Sequence, residues 1–211
     1  MSQNYSNVLK KIVVNYLKQS QHKNIFFADS EFKFDQNHFA SKVFKYEKDL
    51  KKIWKNNKKN KGIGILLDRN IDYIAIIFAT WLCNGYYVPL SKLSPIKNIN
   101  YQVNNSNLSL IVHDKKGDIT FKKILKKYKK KIQINDNEIA YIIFTSGSTG
   151  PKKGVIIKKS SFINYIKNLK KVFEKKRIPK SILINGEMTF DISLADFAFA
   201  FIFNAGLSIT S

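Results

Sequence analysis

Tyr141-Ile-Ile-Phe-Thr-Ser-Gly-Ser-Thr-Gly-Pro-Lys-Lys-Gly154 is the stretch that decides how this chain is read. It begins as an apolar strand, Ile139–Phe144, and breaks into a polar loop. From Thr145 to Gly154 the loop holds three glycines, four hydroxyl side chains and two lysines. Each type suits a polyphosphate. Glycine lets backbone N–H groups approach anionic oxygens with no Cβ in the way. Ser and Thr hydroxyls donate to phosphate oxygens, and a closing lysine adds a charge-assisted hydrogen bond. Spacing excludes two other phosphate loops. A P-loop needs Gly, four residues, then Gly-Lys-Ser/Thr. Counting from Gly147 puts Lys152 at the second glycine, and counting from Gly150 puts Val155 there. The dinucleotide fingerprint begins at Gly62 and Gly64 but has Leu67 where its third glycine belongs. The bland alternative is an ordinary Gly/Ser surface loop. Its place between a strand and Lys-Gly argues against that.

Outward from the loop, strands and helices alternate. Asn4–Gln19 carries a helical stripe of Val8, Leu9, Ile12, Val13, Tyr16 and Leu17. Ile25–Ala28 and Phe32–Phe34 read as short strands, and Asp35 as the cap of a helix running to about Asn56. Gly62–Leu67 reads as a buried parallel strand, Ile71–Cys83 as an apolar helix and Tyr86–Pro89 as a strand. Pro95 opens a short helix, and Leu108–Val112 is a strand. Phe121, Ile124, Leu125 and Tyr128 mark an amphipathic, Lys-faced helix over Phe121–Lys131. After the loop come a strand at Val155–Ile157 and a helix capped by Ser160 or Ser161. A strand at Ile182–Ile184, a helix at Ile192–Phe203 and a strand at Leu207–Ile209 complete the chain. This alternation predicts an α/β fold with mostly parallel sheets flanked by helices.

Composition narrows the function. The chain has 211 residues, with 37 Lys+Arg against 15 Asp+Glu and a net charge of +22. Hydrophobic residues at 44% and aromatics at 13% rule out a disordered polycation. The single cysteine, Cys83, excludes a disulfide scaffold, and His22, His38 and His113 pair with no cysteine at metal-ligand spacing. No metal site is expected. The longest apolar run, Ile74–Cys83, is well short of the ~20 residues of a membrane span. The N-terminus lacks the apolar core of a secretory signal, so a cytoplasmic location is expected. Only Arg69 and Arg177 among the cations are arginines. Sequence-specific nucleic-acid readers depend on the arginine fork. The lysine excess therefore reads as solvated faces, with no specific nucleic-acid partner.

YIIFTSGSTGPKKGV resembles the signature phosphate-binding loop of the AMP-forming adenylate synthetases. That superfamily includes amino-acid adenylation domains, D-alanine–carrier protein ligases, acyl-CoA synthetases and luciferases. Its pattern is roughly TSG-S/T-TG-x-PKG. Thr145, Ser146, Gly147, Ser148, Thr149 and Gly150 match in order, and Lys153 and Gly154 match the closing pair. The departure is Lys152, which stands where the family has Pro, while Pro151 fills the variable slot. Arg69–Pro95 is similar to the family's upstream block through Gly85, Val88, Pro89, Leu90 and Pro95. Phe190-Asp191-Ile192-Ser193 resembles the FDxS block of amino-acid adenylation domains, with Asn204 where that family usually has Gly. The resemblance spans roughly residues 25–211. It is greatest to amino-acid adenylation domains and D-alanine–carrier protein ligases.

The resemblance implies ATP-dependent activation of a carboxylate, with Mg²⁺ balancing the triphosphate and transfer to the phosphopantetheine thiol of a carrier protein. It assigns triphosphate contact to Thr145, Ser146, Gly147, Ser148, Thr149, Gly150 and Lys153. It assigns the substrate's α-ammonium to Asp191, with Phe190 as a pocket wall. The plain alternative for Asp191 is a cap on the helix that follows. Residues 1–211 are expected to be an incomplete N-terminal region of an adenylation domain. The lid with its catalytic lysine lies outside it, and no catalytic residue lies within it. Three alternatives stand beside this reading: an acyl- or aryl-acid ligase of the same superfamily, a non-catalytic truncated or decayed binding module, and an RNA- or membrane-surface binder using the Lys-rich segment.

Overall fold

The sequence IDYIAIIFATWL is apolar on every side, and such a helix is stable only when surrounded. In the computed structural model it is helix α3 (Ile71–Leu82), buried along its length except at Asp72. The structure describes residues 4–18, 26–28, 32–55, 60–124, 135–145, 152–173 and 179–209. Before α3 come α1 (Tyr5–Lys18), β1 (Phe26–Ala28), β2 (Phe32–Phe34), α2 (Gln36–Ile53) and β3 (Gly62–Leu66). After it come β4 (Tyr86–Pro89), α4 (Ile96–Asn105), β5 (Leu110–Lys115), β6 (Asp118–Lys123), β7 (Ile139–Thr145) and β8 (Lys153–Lys158). Helix α5 (Lys159–Phe173), β9 (Ser181–Ile184), α6 (Ile192–Phe203) and β10 (Gly206–Ile209) follow.

The described strands form two sheets. The larger has the order β6-β5-β3-β4-β7-β8, with parallel pairing among β5, β3, β4 and β7 and an antiparallel strand at each edge. The smaller has the order β2-β1-β10-β9, parallel except for β1 with β2. This is the α/β architecture expected. Period-two alternation sends each strand's side chains to opposite faces. Ile63, Ile65, Tyr87, Tyr141 and Ile143 join the main core with α1, α2, α3, α5 and α6. Tyr86, Val88 and Ile142 join a second cluster with Ile99 and Val103 of α4. Gly62 and Gly64 leave that second face open. A Cβ on Gly62 would lie 2.5 Å from the Tyr86 ring, and one on Gly64 would lie 2.8 Å from Leu90.

Aromatic rings knit the main core. Phe78 of α3 meets Tyr16, Phe39, Phe197 and Phe201 at centroid distances of 5.4–5.9 Å. Trp81 contacts Tyr87, Phe162 and Phe197. Its indole N–H donates to the Ala140 carbonyl at 3.0 Å. Ala140 is the extra residue of a β-bulge, since Ile139 pairs with Lys158 and Tyr141 with Ile157. The α2–α3 contact is closed by Asp72, which accepts from Lys42 Nζ at 2.7 Å and the Tyr46 hydroxyl at 2.6 Å.

Helix α6 spans the expected residues, and Asn204 takes the left-handed conformation at its end (φ 49°, ψ 40°). Asp35 caps α2 by accepting from the His38 N–H at 2.7 Å. Two expectations are corrected. Phe121 lies in strand β6, not in a helix. Asp114–Gly117 makes a tight turn, with Lys116 at φ 54° and Gly117 at φ 86°, and Asp114 accepts from the Gly117 N–H. Two positive φ values match the twist of a two-residue hairpin, so the chain returns beside β5. Ile119 and Phe121 then share the inward face. Leu125 and Tyr128 of that expected helix lie outside the described residues. Ser160 and Ser161 do not cap α5, because Lys159 is already helical. The Lys159 side chain is buried and donates to the Asn137 carbonyl at 2.9 Å, drawing the helix start back one residue. Among the described residues, no helix is long and apolar enough to cross a membrane.

Two predictions follow from this packing. Trp81→Phe keeps a ring but strands the Ala140 carbonyl. An unpaired buried acceptor costs about 1–3 kcal/mol, and a Tm drop of about 2–4 °C per kcal/mol should appear in thermal melts. Burial raises the Asp196 carboxyl from the ordinary 3.8 to about 6. With the folded value above the unfolded one, its stabilising contribution is full below about pH 4 and is lost as pH rises through about 6. Asp196→Asn should therefore melt higher than wild type at pH 7, with the difference vanishing near pH 4.

Candidate functional site

Parallel α/β sheets bind ligands beyond the carboxyl ends of their strands, where loops diverge. Here a cavity of about 550 Å³ lies past the ends of β4 and β7. Pro89 ends β4, and Ser91, Leu93 and Ser94 follow it. Tyr141, Ile143, Phe144 and Thr145 come from β7, Val155 and Ile157 from β8, and Gln102 from α4. Lys152 enters just before β8. Glu187, Thr189, Phe190 and Asp191 come from the connection between β9 and α6.

The polar loop joins β7 to β8, which pair antiparallel from Tyr141–Ile157 to Thr145–Lys153. Both ends of the loop therefore meet at the cavity. The Thr145 hydroxyl donates to the Lys153 carbonyl at 3.5 Å. Gly154 sits opposite Phe144, and a Cβ there would come within 3.2 Å of the phenyl ring. The glycine that closes the motif is the one that lets Phe144 lie across β8 into the cavity wall.

Asp191 occupies the cap position of α6, but its backbone is already helical (φ −68°, ψ −20°) and its side chain accepts no capping bond. The capping alternative is thus not realised. The turn is held instead by Ser193, whose buried hydroxyl donates to the Phe190 carbonyl at 2.8 Å. Phe190 N–H donates to the Glu187 carbonyl at 2.9 Å. From outside, Arg69 donates to the Gly186 carbonyl at 2.8 Å, and Met188 is buried in the main core. These contacts fix the Glu187–Asp191 segment while leaving the Asp191 carboxylate exposed at the cavity and Phe190 at its mouth, 61% exposed. Burial, with Asp191 and Tyr165 nearby, pushes the Tyr141 phenol up to about 12, so it stays a neutral hydroxyl at physiological pH.

The expected site residues are thus distributed as follows. Thr145, Phe190 and Asp191 line one cavity. Lys153 stands exposed at the start of β8, beside Thr145, and Lys152 rather than Lys153 is among the described lining residues. Ser146, Gly147, Ser148, Thr149 and Gly150 lie outside the described residues. Sequence reading passed over Tyr141, Glu187 and Gln102. Gln102 had a signal: it is polar on the buried stripe of α4 formed with Ile99 and Val103. Among the described residues, no group of three His, Cys, Asp or Glu side chains is placed to hold a metal.

Comparison with known proteins bears on the family and the fold. Gramicidin S synthase 2 of Brevibacillus brevis is 30% identical over 152 residues, covering 66% of this chain and 3% of its own length. Zwittermicin A synthase ZmaJ of Bacillus cereus is 31% identical over 146 residues, covering 63% of this chain and 28% of its own length. The chain therefore spans a small part of these relatives. Among solved structures, VinN with 3-methylaspartate superposes with a TM-score of 0.74 at 11% identity, over 96% of this chain and 61% of VinN. The nonribosomal peptide synthetase FmoA3 in its AMPPNP-bound form superposes with a TM-score of 0.74 at 13% identity, over 95% of this chain and 22% of its own. Both likenesses are of fold. The family model described as AMP-binding enzyme matches residues 54–209, from the end of α2 to the last residue of β10, and so spans the whole cavity. By that match, the chain belongs to the AMP-binding enzyme family.

Proposed function

We propose that this chain is the nucleotide- and substrate-gripping part of an enzyme that activates an amino acid as its acyl-adenylate. One observation carries the reading: the two ends of the Gly- and hydroxyl-rich loop open into the same hollow as an uncapped, fixed aspartate. A hollow of about 550 Å³ suits a small-molecule ligand.

In this reading the substrate carboxylate attacks the α-phosphorus of ATP. The bond to the β-phosphate oxygen breaks, and pyrophosphate leaves carrying the displaced charge. Thr145, Ser146, Gly147, Ser148, Thr149, Gly150 and Lys153 grip the triphosphate through hydroxyls, backbone N–H groups and an ammonium. Mg²⁺ would accompany the phosphates as counter-charge. Asp191 pairs with the substrate's α-ammonium, and Phe190 walls the pocket. A carboxylate set for an ammonium discriminates strongly against acids that lack one, because it is left unpaired in the complex. The acyl group then passes to the phosphopantetheine thiol of a carrier protein, releasing AMP. An acyl- or aryl-acid substrate would leave Asp191 without a partner.

The 211 residues supply one side of such a pocket, and we place the adenylation step in a longer polypeptide. Purified 1–211 should give no ATP–pyrophosphate exchange above background, and a steady signal would overturn that part of the reading. Binding tests the residue roles directly, with the chain titrated against a non-hydrolysable aminoacyl-adenylate mimic and its deaminated analogue. Lys153→Ala, titrated with ATP, should bind roughly tenfold more weakly for a lost charged hydrogen bond. Asp191→Ala should weaken the amine-bearing mimic by a similar factor and spare the deaminated one. Two variants that bind like wild type would remove the site assignment.

A further inference from the structure

Besides Thr145, strand β7 brings Tyr141 to the cavity. Tyr141 is only 6% exposed, and its ring stacks on Tyr87 at a centroid distance of 5.8 Å within the main core. Buried tyrosine hydroxyls ordinarily find a hydrogen-bond partner. Among the described residues the Tyr141 hydroxyl has none. The Tyr73 and Tyr87 hydroxyls are unpartnered too, but protein seals them in. The Tyr141 hydroxyl is not sealed, because it opens on the hollow. Its partner must therefore come from the cavity, and stacking fixes the place where the two meet.

The surroundings indicate that partner. Burial, then Asp191, then Tyr165 of α5 hold the phenol up at about 12, so Asp191 and Tyr165 both lie near it. No hydrogen bond joins Tyr141 to Asp191, and among the described residues neither Asp191 nor Glu187 has an ion-pair partner. Lys152 carries the one ammonium among the described lining residues. It enters beyond the Thr145 end of the β7–β8 hairpin, whereas Tyr141 lies four residues deeper, about 13 Å along the strand. A carboxylate only accepts, and a neutral phenol accepts by turning its proton aside. A ligand group that serves both needs two donor hydrogens and a positive charge, which describes a primary ammonium. The rings of Tyr141 and Phe190, lining the same cavity, favour a cation further. Resting on the amino-acid reading above, we propose that the Tyr141 hydroxyl is a second contact for the substrate's α-ammonium. One N–H donates to the Asp191 carboxylate and another to the Tyr141 oxygen. Asp191 balances the charge, and Tyr141 fixes the direction. A deaminated acid gives neither group a donor, and an α-hydroxy acid, with one O–H, serves only one of them.

The test titrates the 211-residue chain with a non-hydrolysable aminoacyl-adenylate mimic and its deaminated analogue. Wild type, Tyr141→Phe, Tyr165→Phe and Asp191→Ala are compared, and each protein is melted. Tyr141→Phe should bind the amine-bearing mimic about tenfold more weakly, for a lost hydrogen bond to a charged group. It should bind the deaminated analogue like wild type. Its Tm should not fall, because the ring and its stacking remain and the hydroxyl holds no protein group. Tyr165 is not among the described lining residues, and Tyr165→Phe should bind both ligands like wild type. Unchanged affinity of Tyr141→Phe for the amine-bearing mimic, with Asp191→Ala still weakened, overturns the Tyr141 contact alone. A lower Tm in Tyr141→Phe, or equal losses on both ligands, overturns it too, since either makes the hydroxyl part of the fold. Wild type that binds the two ligands equally, or binds neither, overturns the amino-acid reading itself.

Discussion

The hydrogen bond from the Trp81 indole to the Ala140 carbonyl holds this structure's two purposes together. Trp81 sits in the most deeply buried helix, and Ala140 is the bulged residue of the strand that leads into the polar loop. A bulge removes one residue from the ladder, and its freed carbonyl needs a donor when buried. The indole provides one and positions a large ring among Tyr87, Phe162 and Phe197. Anchored from below, β7 can end in Thr145 and a loop with little apolar character. The core thus sets where the polar end of the strand emerges.

The cavity shows the same division of labour. Pro89, Thr145, Lys152 and Asp191 reach the cavity from the ends of elements or from the connections beside them. Asp191 follows Met188, which is in the core, and Gly186, which Arg69 holds. Arginine is rare in this lysine-rich chain, and a guanidinium can reach a carbonyl while its flat group still packs against protein. Ser193 takes over the stabilisation of the α6 turn, which frees Asp191 from the capping role its position would otherwise give it. The Glu187–Asp191 side of the cavity is fixed by these contacts before any ligand arrives, so little ordering of that segment opposes binding.

Much of the fold was legible because it rests on local pattern. The apolar runs at Gly62–Leu66 and Ile71–Leu82 could only be buried, and the Asp35 and Asn204 ends follow from what those side chains do locally. The hairpin after β5 was misread for a physical reason. Phe121, Ile124, Leu125 and Tyr128 have helical spacing, whereas Ile119 and Phe121 have strand spacing, and a short window supports both. The Lys116-Gly117 turn settles the choice, and Lys at positive φ is not a residue that announces such a turn. The start of α5 was misplaced because a buried lysine, bonded to a carbonyl 22 residues earlier in the chain, outweighs a local serine cap.

The glycine, hydroxyl and lysine content of the Thr145–Gly154 loop and the Phe190–Ser193 block were written in the sequence, because they depend on which groups a residue carries. So was the α/β alternation, because periodicity alone separates faces of helices and strands. Tertiary structure decided what those groups meet. It brought Thr145 and Asp191 to one hollow, though 46 positions separate them in the chain. It put Lys152 beside the cavity, left Asp191 uncapped and set Gln102 in an apolar wall with an unpaired oxygen. The reason is that proximity across strands and the loss of water around a polar atom are properties of packing, and no stretch of sequence contains them by itself.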